Sequence, residues 1–298
     1  VNANKDYRNC LHNLSNFVQQ QHTVCEFSDS NSWVILSPIE QSIKNKIEAV
    51  GVPLKDWNIN IYRGVLTGCN EAFIINTEKR DEILSNCKDE AERKRTEELI
   101  RPILRGRDIK RYGYNWAGLW LINTHNGIKG KVPPVDINNY PAIKAHLDKY
   151  WSKISKRADK GDTPYNLRNC AYMEDFDKPK ITWGSLNLKG SYSFAPEGMF
   201  INAPCPFIAT NNTAILHILN SKIADYYIRS LGVTRNGGYF EYKPMFVDKI
   251  PIPRTNLEKL KTYPFQPNQQ EEKELTALIY KLYNLSKQEI DYLENREH

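Results

Sequence analysis

The chain has 298 residues, of which 40% are hydrophobic and 26% are charged, and its formal net charge is +6. This length suffices for one large domain or two modest ones with an ample hydrophobic core. No run of residues approaches the roughly 18 consecutive apolar residues of a membrane helix, so no membrane-spanning helix is expected in this sequence.

The cysteines and histidines show no spacing typical of a disulfide framework or a metal site. The six cysteines include no Cys-x-x-Cys pair, and the six histidines include no His-x-x-x-His pair. This pattern predicts free thiols in a reducing cytoplasm, without disulfides or zinc. The chain starts at Val1, with neither an initiator methionine nor a signal-peptide pattern, and we therefore expect a piece of a longer protein.

The N-terminal elements are predicted from apolar spacing and capping residues. Residues 1–32 are expected to form a connector helix and linker from an upstream part of the protein. A short strand is expected at 33–36, and Ser37 with Pro38 indicates the start of a helix that ends near Val50.

Two strand-forming runs then flank a loop within the segment 59–76. The loop holds Gly64 and Gly68, which permit a positive φ or the close approach of another backbone. Three polar side chains surround the glycines: Arg63, Thr67 and Asn70. Such groups can donate to guanine, bind a phosphate and pair with adenine, respectively. The alternative is that the arginine pairs with a local acid and the asparagine caps the turn.

The rest of the chain mixes short strands with helices in no regular order. A charged helical region is expected at 78–100, and strands are expected at 119–123, 180–183, 192–194 and 206–209. Helices are expected at 140–154, 212–231, 271–285 and 286–295, the last with a Ser286–Glu289 capping box. This order favours an α+β fold, with a β-rich body over residues 33–210 and a helical bracing region over residues 211–298.

Basic residues concentrate in one central segment. Between Arg93 and Arg111 there are eight basic residues against three acidic ones. Four of them are predicted to clamp a nucleic-acid backbone, because each neutralised phosphate releases counterions: Arg105, Arg107, Lys110 and Arg111. Asp108 is expected to be a structural ion-pair partner. The alternative is a solvated helix end with ordinary charge scatter.

A further candidate contact is the turn after the helix at 212–231. It contains Arg235, Asn236, two glycines and Tyr239, a combination that could meet a groove of nucleic acid. The alternative is a plain turn that ends the helix.

Two segments resemble catalytic motifs without completing them. Glu241-Tyr-Lys243 has the spacing of half a metal-dependent nuclease site, but a carboxylate partner such as Asp225 lies on a predicted helix. Asn202-Ala-Pro-Cys-Pro-Phe207 has the wrong spacing for the Asn-Pro-Pro-Tyr motif of amino-methyltransferases.

Seven collinear segments between residues 33 and 293 resemble one known family. They include the loop at 62–73, Ile100-Arg-Pro-Ile-Leu-Arg-Gly-Arg-Asp-Ile-Lys-Arg-Tyr112, Phe176-Asp-Lys-Pro-Lys-Ile-Thr-Trp183 and Lys249-Ile-Pro-Ile-Pro253. The chain resembles the TaqI-like C-terminal specificity domain of type IIG restriction–modification enzymes and Eco57I-like DNA adenine methyltransferases. The resemblance implies a β-rich target-recognition body braced by helices, similar to half of a type I specificity subunit.

The resemblance also implies a function. The chain would bind double-stranded DNA, select its sequence and contact the methyltransferase domain of its own chain, with no membrane partner. Methyl transfer from S-adenosylmethionine to adenine, and any Mg-dependent cleavage by a fused nuclease, would belong to the upstream part. No catalytic residue, metal or cofactor is therefore expected here. Two alternatives stay open: a metal-dependent nuclease fragment, and a protein-interaction module without DNA binding.

Overall fold

A computed structural model describes residues 36–231 and 236–296, which form an α+β fold. The predicted fold class is confirmed. The predicted connector at 1–32 and most of the predicted strand at 33–36 lie outside the described residues. Within the described part of the chain, no helix is long and apolar enough to cross a membrane.

Twelve helices lie within these described ranges. They are α1 Pro38–Val50, α2 Asn70–Phe73, α3 Thr77–Ser85, α4 Glu90–Leu99, α5 Pro141–Asp148, α6 Trp151–Ile154, α7 Thr213–Leu219, α8 Lys222–Ser230, α9 Pro244–Val247, α10 Glu258–Lys261, α11 Gln269–Leu282 and α12 Lys287–Asn295.

Fourteen strands lie within the same ranges. They are β1 Val52–Pro53, β2 Ile61–Arg63, β3 Ile74–Asn76, β4 Ile100–Leu104, β5 Ile109–Lys110, β6 Gly113–Tyr114, β7 Leu119–Ile122, β8 Lys180–Trp183, β9 Leu186–Asn187, β10 Tyr192–Ala195, β11 Phe200–Ile201, β12 Pro206–Ala209, β13 Phe240–Glu241 and β14 Pro251–Ile252.

Two four-stranded sheets form the β-rich body. The first is antiparallel with the order β10-β8-β12-β2, and its register places Phe207 opposite Thr182 on one side and Tyr62 on the other. The second has the order β11-β4-β7-β3, with β11 parallel to β4 and the other neighbours antiparallel. Val65, after β2, bridges to Asn202, after β11, so the two sheets meet at this point.

The fold contains two hydrophobic cores. One lies between α1, the first sheet and the C-terminal helices, and includes Ile47, Trp183 and Ile279. The other packs the second sheet against α5 and includes Phe73 and Ile143. Full burial of one such side chain stabilises the fold by about 1.5–3 kcal/mol. The predicted division at residue 210 does not coincide with the division between the cores, because α1 packs with the C-terminal helices.

Helix α1 is joined to the C-terminal helix through one carboxylate. Ser37 caps α1 as predicted, and Ser286 and Glu289 form the predicted capping box of α12. Glu289 also accepts hydrogen bonds from Ser42 and Lys46 of α1, both at 2.7 Å. Burial alone would raise the pKa of Glu289, but these hydrogen bonds and those from Ser286 lower it to about 2.

The predicted helix at 212–231 is in fact two helices, α7 and α8. The Asn220 side-chain amide exchanges two hydrogen bonds with the backbone of Tyr192, at 2.9 and 3.0 Å, and Ser221 caps α8. The prediction of one helix was wrong because the apolar stripe continues through both halves. The regions predicted at 78–100 and 140–154 are likewise each two helices, α3 with α4 and α5 with α6.

Candidate nucleic-acid interface

The loop of residues 63–70, here called the glycine loop, requires both of its glycines. A Cβ on Gly64 would lie 2.5 Å from the carbonyl oxygen of Ile201, and the Gly64 N–H donates to the Cys205 carbonyl at 2.8 Å. Gly68 has a φ of 65°, in the left-handed region that favours glycine. The two glycines therefore fix the path of the chain on either side of Thr67.

Thr67 and Asn70 form an internal turn. The Thr67 side chain is 1% exposed, and its hydroxyl donates to Asn70 Oδ1 at 2.6 Å and accepts from the Cys69 N–H at 3.2 Å. The Thr67 hydroxyl is therefore inaccessible to a phosphate in this conformation, contrary to the role expected for it. Asn70 is exposed, but its carbonyl oxygen serves the turn, which was the alternative left open by the sequence.

A buried arginine that the sequence analysis did not single out holds the glycine loop in place. The Arg157 side chain donates hydrogen bonds to four backbone carbonyls, those of Thr67, Asp159, Pro164 and Asn166. Its guanidinium lies 4.4 Å from the ring centroid of Phe73. Burial lowers the pKa of Arg157 to about 10, so the group stays protonated at neutral pH. Arg157 therefore joins the glycine loop to the segment 158–167.

Arg63 lies exposed at the mouth of a cavity of about 290 Å³ beside the glycine loop. Its backbone carbonyl accepts a hydrogen bond from the Tyr172 hydroxyl at 3.0 Å, and its guanidinium has no partner in the described part of the chain. The bottom of the cavity is apolar and formed by Leu167, Phe176 and Phe200. The other polar residues of its lining are Asn123, His125, Arg168 and Asn169.

A second concavity of about 810 Å³ adjoins the first and shares Asn169 and Cys170 with it. Its opposite wall is the loop 126–134, where Ile128 and Val132 form a β-bridge. This loop exposes two lysines, Lys129 and Lys131. The two concavities together are here called the recognition groove. Four basic residues line it: Arg63, Lys129, Lys131 and Arg168.

The cluster that was predicted to clamp phosphates contains an internal ion pair. Arg105 donates from Nε and Nη2 to the two carboxylate oxygens of Asp108, at 3.0 and 2.8 Å. Burial alone would raise the pKa of Asp108, but hydrogen bonds from the Arg105 side chain and backbone lower it. The expected structural role of Asp108 is confirmed, and the guanidinium of Arg105 is occupied by its ion pair with Asp108.

The other three cations of this cluster have different environments. Arg111 donates to the Asn220 carbonyl at 2.9 Å and forms an ion pair with Glu272, so it braces the body against α11. Lys110 donates to the Arg107 carbonyl at 2.9 Å. Arg107 and Lys110 are exposed and form no ion pair among the described residues, although the charge of Arg107 helps to lower the pKa of Asp108. These two cations are therefore accessible to a phosphate, whereas Arg111 is used internally.

The turn after α8 is described only from residue 236. Arg235 lies outside the described residues, and Asn236 is described for its backbone alone. Gly237 and Gly238 have φ values of 77° and 78°, and Tyr239 is 39% exposed. The predicted contact of this turn with DNA stays a prediction.

The carboxylates of the nuclease-like motif have other partners. Glu241 forms an ion pair with Lys243 at 2.8 Å. Asp225 accepts hydrogen bonds from the Gly190 N–H at 2.9 Å and from Arg229 at 2.7 Å. Within residues 36–231 and 236–296, no group of three His, Cys, Asp or Glu residues could hold a metal ion.

Comparison with known families identifies the chain. The model of the TaqI-like C-terminal specificity domain matches residues 101–252, which is about half of the 298 residues. The chain belongs to this family. The resemblance drawn from the sequence is confirmed, although no curated protein matches the chain.

Two solved structures share the fold of this TaqI-like specificity domain. MmeI, a type IIL restriction–modification enzyme solved in complex with DNA, superposes with a TM-score of 0.55 at 14% identity, covering 79% of this chain and 35% of that one. The type IIG restriction endonuclease BpuSI gives a TM-score of 0.53 at 12% identity, covering 87% and 32%. The domain therefore spans about a third of the length of either protein.

Sequence reasoning found one wall of the recognition groove in this specificity domain and missed the other. The segment Gly127-Ile-Lys-Gly-Lys131 carries the same glycine-and-cation signal as the glycine loop, and could have been found. Asn123 is the last residue of a predicted strand and His125 lies just after it, and neither carries such a signal. Arg157 was hidden because its acceptors are backbone carbonyls, which leave no trace in the pattern of side chains.

Proposed function

We propose that this TaqI-like specificity domain binds duplex DNA and recognises a target sequence through the recognition groove. The observation that carries the proposal is the position of Arg63, whose guanidinium is exposed at the mouth of the groove. A guanidinium in such a position can donate two hydrogen bonds to the O6 and N7 atoms of guanine. The structural similarity to MmeI, which was solved in complex with DNA, also supports DNA binding by a domain of this fold.

The charges along the groove support DNA as the ligand. Lys129 and Lys131 are exposed and have no acidic partner in the part of the chain that the structure describes. Arg168 pairs with Asp159 at 3.1 Å, but its side chain is 61% exposed, and surface pairs of this kind are worth little. A phosphate can therefore compete for all three cations, which favours a polyanion over a neutral partner.

We further propose that the domain selects the target for a methyltransferase domain of the same polypeptide. S-adenosylmethionine would supply the methyl group for the exocyclic amine of adenine, outside the residues described. Cleavage in the presence of Mg²⁺ would require a further nuclease domain. The free thiols of Cys69, Cys87, Cys170 and Cys205 support a reducing, cytoplasmic setting.

The proposal is tested by titrating the chain with a labelled duplex at several salt concentrations. Neutralising about five phosphates should give a slope of about −4.5 when the logarithm of the binding constant is plotted against the logarithm of the salt concentration. The double substitution Lys129→Gln with Lys131→Gln should make the slope shallower by about two. The matched control, Lys281→Gln with Lys287→Gln on the C-terminal helices, should leave it unchanged. A salt-independent or absent interaction would instead favour a protein-interaction module.

A further inference from the structure

The cavity beside the glycine loop differs from the open part of the recognition groove. Asn123 and His125 are half-buried in its lining, and its bottom consists of the buried side chains of Leu167, Phe176 and Phe200. Its volume of about 290 Å³ lies at the small end of ligand pockets, which begin near roughly 300 Å³. The cavity therefore suits one flat aromatic group rather than a helix or a strand.

The two half-buried polar side chains have unused hydrogen-bonding capacity. The backbone N–H of Asn123 donates to the Leu99 carbonyl at 3.1 Å, but its side-chain amide has no partner among the described residues. His125 Nδ1 accepts a hydrogen bond from the Gly127 N–H at 3.2 Å, which places the proton of the neutral ring on Nε2. An asparagine amide can pair with the N6 and N7 atoms of adenine, and the imidazole N–H supplies another donor. The lining therefore matches the edge of a purine.

The recessed position of these groups decides which state of the DNA they can contact. Base pairs in a duplex present their edges at the floor of a groove, so a side chain must project outward to reach them. Asn123 and His125 are half-buried in the cavity lining, so we expect only a base that has left the stack to reach them. Arg63 and Arg168 are exposed at the rim, where they can hold the phosphates next to such a base.

We infer that this cavity binds a single unstacked purine of the bound DNA, with the edge of adenine paired to Asn123. The base lies against the apolar bottom of the cavity. The inference rests on the proposed function, because it requires DNA in the recognition groove. A base that is already unpaired enters without the loss of a base pair, so the domain should prefer DNA that contains an unpaired adenine.

The experiment compares three duplexes with identical flanking sequences: fully paired, with one unpaired adenine, and with an abasic residue at the same position. The abasic duplex controls for bending of the DNA. The wild-type chain should bind the unpaired-adenine duplex about 10-fold more tightly than the abasic one. Asn123→Ala should reduce this preference to less than about 3-fold. The matched control Asn115→Ala, at an exposed asparagine outside the cavity lining, should keep the preference.

A second variant separates recognition from misfolding. Asn123→Asp keeps the size of the side chain but removes its donor, so it should lose the preference while unfolding at the same temperature as the wild type. Equal binding of the unpaired-adenine and abasic duplexes, with salt-dependent binding of the paired duplex, overturns the inference and leaves the proposed function intact. If none of the duplexes binds, the proposed function fails and the inference fails with it.

Discussion

The Arg105 guanidinium and the Asp108 carboxylate face each other with two parallel hydrogen bonds of 3.0 and 2.8 Å. The Asp108 carboxylate also accepts the Arg105 backbone N–H at 2.9 Å, so this one side chain closes the turn at 106–108. Arg107, between them, is exposed. Neighbouring cations in one basic cluster therefore have different roles, one in the fold and one at the surface.

The substitutions Arg105→Gln and Arg107→Gln should separate these roles. Arg105→Gln leaves the nearly buried Asp108 without its charged partner, and we expect a loss of about 2 kcal/mol in the free energy of unfolding. Arg107→Gln, at an exposed side chain, should change it by less than about 0.5 kcal/mol. Urea unfolding of both variants at pH 7 provides the measurement. Equal stabilities would mean that the ion pair contributes nothing to the fold.

Arg157 should be required for the order of the glycine loop. Arg157→Gln leaves buried carbonyls without donors and should destabilise the fold by about 2–4 kcal/mol. Arg157→Lys keeps the charge, but an ammonium group has too few donors to bond all four carbonyls, so this variant should recover only part of the lost stability. Hydrogen exchange at the Cys69 amide, which bonds to Thr67, should become faster in both variants. Arg168→Gln is the matched surface control, and its exchange at Cys69 should equal that of the wild type.

Gly64 should not tolerate a side chain. Gly64→Ala places a Cβ 2.5–2.8 Å from backbone atoms of Ile201, Asn202 and Ala203, which cannot move aside cheaply. We expect a loss of about 3 kcal/mol in the free energy of unfolding. Gly130→Ala is the control, because its Cβ would meet nothing within 4 Å and only the strain of a positive φ, about 1 kcal/mol, remains. Thermal unfolding compares the two, and a Gly64→Ala variant as stable as Gly130→Ala would contradict the close approach.

His217 should make the stability of the fold depend on pH. The ring is fully buried 5.6 Å from the Tyr112 ring, and burial lowers the pKa of His217 from 6.5 to about 4. The folded protein therefore resists protonation that the unfolded chain accepts. This contribution is fully present above about pH 6.5 and is lost as the pH falls through about 4.

The substitution His217→Phe tests this, because it keeps an aromatic ring and removes the titration. When the pH is lowered from 7 to 4.5, the free energy of unfolding of the wild type should fall by about 2–3 kcal/mol more than that of the variant. Urea unfolding at the two pH values provides the measurement. The comparison isolates one residue, since Glu289 titrates at lower pH and is present in both proteins. Parallel pH dependences of the two proteins would show that His217 is protonated in the fold as readily as in the unfolded chain.

The sequence predicted those features that depend on local contacts. The helix start at Ser37 was found from the adjacent Pro38, and the capping box at Ser286 was found because Glu289 lies three positions further on. The glycine loop was found because its glycines stand beside polar residues in one short segment. The break between α7 and α8 was missed because Asn220 bonds to Tyr192, 28 positions away.

The candidate site was only partly predictable for the same reason. Arg63 was singled out because it stands beside the glycines, but the opposite wall of the recognition groove comes from segments about 60 to 110 residues further along the chain. Whether a cation is free or paired also depends on the fold. Arg111 and Arg107 are equivalent in the sequence pattern, yet only Arg111 meets Glu272.

The central claim is that the recognition groove recognises the DNA sequence through a contact between Arg63 and a base. If the intact protein methylates DNA as we propose, methylation-sensitive sequencing of DNA from cells that express it gives the target site. The decisive measurement is the affinity of the wild type, Arg63→Ala and Arg107→Ala for that site and for its single-base substitutions, at two salt concentrations.

Arg63→Ala should lose about 1–3 kcal/mol of binding free energy at the true site, because a bidentate base contact is removed. It should also distinguish the true site less well from sites substituted at one base pair. Arg107→Ala should weaken binding to all DNA sequences by the same factor and make the salt slope shallower by about one. If both variants lose affinity uniformly across the substituted sites, Arg63 contacts only phosphate, and the assignment of base recognition to this groove is contradicted.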